Sequence, residues 1–267
     1  PFLICGTVPT QIISSPSSDL KSKTAYPFNL PWQASFRDLT LSQPVTILTG
    51  DNGSGKSTLL NAIAANYNAI LMSGASLDED PEYQNSRALA RCLKLTWQYR
   101  TKAGFFFRAD DFISFIRATR GRIKYAQTQL EQLAPDSLER LPYLNTLSAI
   151  HHLYQVDLDK LSHGQAFLAL FRARLRPNAL YLLDEPESPL TPENQLSLLA
   201  LLHDAVENGS QFIISTHSPI LMAYPNAQLL ALGDTLAPTQ YDQIEHVAFL
   251  RHFLDDPQRF IYHLLND

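Results

Sequence analysis

The chain is predicted to be α/β, with a central, mostly parallel sheet flanked by helices, on three observations. A β-branched run, Val45 to Thr49, leads through a glycine-rich loop into a helical pattern that starts at Ser57. A continuous apolar run, Ala179 to Leu183, suits a strand covered on both faces, as the strands of parallel sheets are. From there the order strand, helix, strand continues to Thr216, the crossover that builds parallel sheets and leaves ligands at the carboxyl ends of the strands.

In chain order, Ser57 to Ala65 forms the first helix, with Leu59, Leu60 and Ile63 available for packing. Residues from about 85 to 175 are mainly helical in pattern, broken by a strand at Gly104 to Phe107 and by a proline-punctuated connection from Leu133 to Pro142. Asp184 and Glu185 end the apolar strand. Pro192 to Asn208 carries Leu196, Leu199, Ala200 and Leu202 at helical spacing, Gly209 closes that helix, and Gln211 to Thr216 is the next buried strand. Residues 226 to 267 supply one strand near Gln228 to Leu232 and two short amphipathic helices separated around Asp255 to Pro257. The expectation is one domain over residues 1–267, its core at about 1–84 and 176–267 and a helical subdomain at about 85–175.

A chain of 267 residues can bury one large core. Hydrophobic residues at 45% and charged residues at 18% exclude disordered and fibrous classes. No run approaches the length of a membrane-spanning helix. Pro1 to Ile4 carry neither a basic region nor an initiator Met, so the start reads as trimmed, without a signal peptide, and the cytoplasm is the expected compartment. Cys5 and Cys92 have no spacing that fits zinc or a disulfide framework. The net charge of −5 gives no general attraction to nucleic acid, yet Arg87, Arg91, Lys94, Arg100, Lys102, Arg108, Arg117, Arg120, Arg122 and Lys124 face only Asp110 and Asp111 in their stretch. That predicts a basic lobe on an acidic body.

Gly50-Asp51-Asn52-Gly53-Ser54-Gly55-Lys56-Ser57-Thr58 fits G-x-x-x-x-G-K-[ST] between a strand and a helix, which makes the core a P-loop NTPase. Glycines let the N–H groups of Asn52, Gly53, Ser54 and Gly55 turn inward around phosphate oxygens, and the helix start at Ser57 and Thr58 adds its positive end. Lys56 reaches the β- and γ-phosphates and Ser57 ligates Mg²⁺. ATP or GTP with Mg²⁺ is the expected ligand. Asp184 suits a metal that keeps several waters and takes one carboxylate, and Glu185 suits the general base that orients or deprotonates the attacking water.

The phosphate loop, Leu161-Ser162-His163-Gly164-Gln165 before a helix, Leu182-Leu183-Asp184-Glu185-Pro186, and His217 after a strand together resemble the ATP-binding-cassette ATPase superfamily over roughly residues 40 to 225. The resemblance implies an antiparallel β portion and a helical signature subdomain beside the parallel sheet. It implies that Ser162, Gly164 and Gln165 bind the γ-phosphate of ATP held by a second copy, hence a homodimer, and that His217 senses the γ-phosphate. His163 stands where the usual signature has a glycine. The family's lobe-entry glutamine has no clear equivalent: Gln98 serves, or Asp110 or Asp111 substitutes, or the link is absent. Tyr26 and Phe28 are the first candidates to stack on adenine, with Trp32 and Phe36 also in reach.

Glu187-Ser188-Pro189-Leu190-Thr191-Pro192 and Ser215-Thr216-His217-Ser218-Pro219 differ from the transporter pattern of Ser-Ala-Leu-Asp and of an aspartate after the switch histidine. On those residues the chain is most similar to compact, stand-alone bacterial ATPases related to the chromosome-maintenance and recombination-repair branch, without long coiled-coil arms. The function this implies is a soluble, Mg-dependent ATP-hydrolysing switch acting as an ATP-sandwiched homodimer, with nucleic acid or a soluble protein partner on the basic lobe. The alternatives are the ATP-binding subunit of a membrane transporter and a nucleotide-gated regulatory module with negligible turnover.

Overall fold

The structure, a computed structural model, describes residues 11–14, 25–72, 81–97, 101–154 and 161–266. Cys5, Gln98 and Arg100 lie outside the described residues. The strands are β1 (Gln11–Ser14), β2 (Asp38–Leu41), β3 (Val45–Thr49), β4 (Lys94–Trp97), β5 (Gly104–Arg108), β6 (Leu180–Asp184), β7 (Gln211–Ser215), β8 (Gln228–Leu232) and β9 (Leu236–Pro238). The α-helices are α1 (Lys56–Tyr67), α2 (Pro81–Ala90), α3 (Ala109–Gln132), α4 (Leu141–Tyr154), α5 (His163–Arg174), α6 (Pro192–Glu207), α7 (Pro219–Met222), α8 (Glu245–Asp255) and α9 (Pro257–Asn266).

A six-stranded sheet runs β5-β6-β7-β3-β8-β9, parallel throughout except for β9 at one edge. Its apolar runs are continuous because both faces are covered. Alternate residues enter two different cores: Phe105, Phe107, Tyr181, Leu183, Phe212 and Ile214 face one, while Phe106, Leu180, Leu182 and Ile213 face the other. The second core lies under α1, α2 and a three-stranded antiparallel sheet, β2-β1-β4. In β2 only Leu39 and Leu41 are buried, the alternation of a strand with one face in solvent.

Two strands, β4 and β5, fall in the stretch whose pattern is mainly helical. β4 has too few residues for its period to stand out among basic side chains. The long helix α3 leaves the end of β5, and α4 and α5 pack beside it. Edge-to-face aromatic pairs fasten α3 and α5 to the sheet: Phe167 lies 5.1 Å from Phe107 and 5.2 Å from Phe112, and Phe105 lies 5.5 Å from Phe171. Arg120 of α3 donates to the carbonyl of Leu161 at 2.7 Å, just ahead of α5.

The phenylalanines interleaved with the basic stretch are therefore core residues: Phe105, Phe106, Phe107 and Phe112 are buried, and Phe115 packs against the core. The cations are dispersed, with Arg87 on α2, Lys94 on β4, Arg108 at the end of β5, and Arg117, Arg122 and Lys124 exposed on α3. No described helix is long and apolar enough to cross a membrane.

Candidate nucleotide site

The loop between β3 and α1 turns on glycine. Gly50 sits at φ 145°, and a Cβ there would lie 2.3 Å from the Leu232 carbonyl oxygen. Gly55, at φ 94°, backs onto the side chain of Leu30, which a Cβ would meet at 2.7 Å. The carbonyl of Ser54 accepts a bond from Trp32 Nε1 at 2.9 Å, so the buried tryptophan braces the loop. Lys56 is buried, and its Nζ donates to the carbonyls of Gly50 at 2.8 Å and Asp51 at 3.0 Å, which puts the cation inside the loop. Burial lowers its pKa, against the raising influence of Glu185, Asp184, Asp51 and Glu187.

The parallel register brings the ends of β6 and β7 beside this loop. Ser57 Oγ donates to Asp184 Oδ1 at 3.0 Å, so the two oxygens suited to a hard cation are already adjacent. Burial raises the Asp184 carboxyl to about 6, with the Ser57 hydroxyl pulling the other way. A buried carboxylate whose charge is costly, paired with a hydroxyl, fits Mg²⁺; among the described residues no cluster of three or more His, Cys, Asp or Glu forms a different kind of metal site.

Glu185 follows at φ 49°, a left-handed conformation uncommon outside glycine, and its N–H donates to the Ser215 carbonyl at 2.9 Å. Together with Asn52, Gly53, Gly55, Lys56, Ser57, Thr58 and His217 it lines a cleft of about 210 Å³. Burial, then Lys56, lowers the His217 pKa. The backbone N–H of His217 donates to Glu187 Oε1 at 2.7 Å. Sequence reasoning gave Glu187 no role; the available signal was a third carboxylate in Asp184-Glu185-Pro186-Glu187. Burial raises its pKa.

Ser162, Gly164 and Gln165 are not among the residues lining that cleft. Ser162 caps α5 in a reciprocal box, accepting from Gln165 N at 3.2 Å and donating its own N–H to Gln165 Oε1 at 3.1 Å. Ser162 and His163 are exposed, whereas Gly164 is buried where a Cβ would meet Asn194 Nδ2 at 2.8 Å and the Pro189 carbonyl at 3.1 Å. Tyr26 is 51% exposed on the cleft rim, its hydroxyl 2.9 Å from Thr58 Oγ1. Phe28 is half-buried, and Trp32 and Phe36 are core residues in edge contact at 5.7 Å. Beside Asp184, in register across β5 and β6, stands Arg108, which donates to both Asp111 oxygens at 2.7 and 3.1 Å; Asp110 is exposed on the first turn of α3.

The model of the family described as ABC transporter matches residues 38–188, more than half of the chain. The chain belongs to the ABC transporter family. It is similar to the cobalt import ATP-binding protein CbiO of Salmonella typhimurium, 29% identical over 185 residues that make up 67% of this chain and 64% of that protein. It is also similar to the hemin import ATP-binding protein HmuV of Pseudomonas aeruginosa, 29% identical over 195 residues, 68% of this chain and 70% of the other. Among solved structures, cbiO1 from Clostridium perfringens, part of an ABC transporter complex, aligns at a TM-score of 0.47 and 16% identity over 98% of this chain and 100% of that one. The chain thus spans 64% of the length of the CbiO relatives it matches.

These relatives overturn the expected kinship with stand-alone chromosome-maintenance and recombination-repair ATPases. The residues on which that expectation rested have local duties. Thr191 caps α6 by accepting from Asn194 N, and Ser218 caps α7 by accepting from Leu221 N and donates to Gln195 Oε1 at 2.5 Å. Helix capping alone accounts for a Thr and a Ser at these positions, whatever the branch.

Proposed function

We propose that this chain is the ATP-hydrolysing subunit that energises a membrane transport system, working as a pair of copies with ATP between them. The observation that carries the reading is the convergence of Lys56, Ser57, Glu185 and His217 on one cleft at the carboxyl ends of the sheet, with Asp184 bonded to Ser57 behind it, while the signature turn is not among the residues that line the cleft. Lys56 binds the β- and γ-phosphates of ATP, helped by the inward N–H groups from Asn52 to Gly55. Ser57 and Asp184 would hold Mg²⁺, which when bound neutralises charge on the phosphate oxygens. Glu185 orients the attacking water and accepts its proton. His217 bonds the γ-phosphate, and the carboxylate of Glu187 fixes the backbone from which His217 projects. The Ser162 to Gly164 turn of a second copy completes the site, and Tyr26 at the rim packs on the base. The import ATP-binding proteins among its relatives support the transport role.

The test measures ATP hydrolysis by purified protein with and without Mg²⁺, using Glu185→Gln as the blank, and asks whether native membranes retain the chain through a multi-spanning protein. A Mg²⁺-dependent rate well above the blank is expected. A rate equal to the blank removes the hydrolytic reading, and active protein that never associates with a membrane-spanning partner removes the transport role.

A further inference from the structure

The switch histidine has a second imidazole behind it. His246, on the first turn of α8, lies with its ring centroid 6.2 Å from that of His217, the planes inclined by 55°. It also borders a separate cleft of about 340 Å³ against the outer side of the phosphate loop, with Gly50, Asp51 and Asp234. Its Nε2 is buried without a hydrogen-bond partner. A buried ring nitrogen with no partner is unfavourable, and a native structure that keeps one in contact with its reacting groups generally uses it.

Glu187 bonds the backbone N–H of His217 and not its ring. We propose that His246 is a positioning residue for His217, backing the switch imidazole so that it meets the γ-phosphate in one orientation and tying α8 to the state of the nucleotide. The inference rests on the reading of His217 as the γ-phosphate sensor. His246 is not among the residues that line the nucleotide cleft, so its effect passes through His217. An imidazole backed on one side is held in the orientation the transition state requires, and alignment that matters only there appears in turnover rather than in ground-state affinity.

A double-mutant cycle tests this, with ATPase kinetics of wild type, His217→Ala, His246→Ala, His246→Gln and the double His217→Ala/His246→Ala. His246→Ala is expected to lower kcat about tenfold, the scale seen when an outer partner of a functional group is lost, with KM for ATP unchanged within about twofold. His246→Gln, which keeps a nitrogen at similar reach, returns to within about threefold of wild type. The double variant is no slower than His217→Ala, because a positioning residue has nothing left to position. Losses that multiply in the double variant, or an unchanged kcat in His246→Ala, overturn the proposal while leaving the nucleotide site intact. Thermal unfolding of each variant checks folding, and His246→Gln carries the test if the alanine variant does not fold. A wild type no faster than Glu185→Gln overturns both this inference and the reading beneath it.

Discussion

Replacing Asp184 by asparagine isolates the energetic cost of holding a buried carboxylate where Mg²⁺ is proposed to bind. The Asp184 carboxyl is raised by burial from 3.8 to about 6. Two units at 1.36 kcal/mol each correspond to about 3 kcal/mol of strain on the ionised form. The sign follows from proton binding. Between about pH 4 and pH 6 the folded protein holds this proton while the unfolded chain has released it, so stability falls as pH rises through that window and stays low above it. Below about pH 4 both states are protonated and the cost vanishes. Glu187 is shifted in the same sense, but it is present in both proteins and cancels in the comparison. The Asp184→Asn variant carries no such charge. Its stability relative to wild type should therefore rise by about 2 kcal/mol between pH 4 and pH 7, because at pH 4 the unfolded chain has already released part of its proton. The Ser57 bond favours the ionised form, and its effect is already contained in the raised value, so it needs no separate allowance. Urea unfolding of nucleotide-free protein at the two pH values measures this directly. Parallel curves for the two proteins, or a variant that loses ground at neutral pH, would refute the claim that Asp184 is held there at a cost for a cation.

Two further outcomes follow from the site. Glu185→Gln should keep nucleotide affinity, lose about 10²-fold or more in turnover, and accumulate an ATP-dependent dimer in light scattering; a species that remains monomeric with ATP and Mg²⁺ would contradict the sandwich. Ser162→Arg should bind ATP as a monomer with wild-type affinity, because Ser162 lies outside the cleft of its own chain, yet fail to dimerise; full hydrolytic activity in that variant would rule out the turn as half of a second site.

Much of the sheet was legible because burial on both faces leaves an unmistakable signal. The runs read as strands at 45–49, 179–183, 211–216 and near 228–232 are mainly apolar, short and bounded by turn residues, and they appear within a residue at each end as β3, β6, β7 and β8. The phosphate loop was legible for a different reason: left-handed φ and contact distances below 3 Å admit little but glycine at Gly50 and Gly55. The antiparallel sheet was not located, since β1, β2 and β4 have four residues each, too few for a two-residue period to emerge, and β1 pairs with β4 far along the chain, Gln11 opposite Trp97. Glu187 was overlooked because its partner is a backbone N–H thirty residues away, and His246 because a histidine near a helix start has many uses. The branch of the family was misread from Pro189, Thr191 and Ser218, where helix-capping chemistry imitates kinship.

The absence of a side chain at Gly164 has a consequence for how two copies would share work. It packs against the segment that follows Glu185, where a Cβ would meet the Pro189 carbonyl at 3.1 Å and the Asn194 side chain at 2.8 Å. In the proposed pair, a shift of that segment on cleavage in one protomer would also move the turn offered to its neighbour. A pair assembled this way behaves like two hands on one lever, so that neither can finish its stroke without altering the grip of the other.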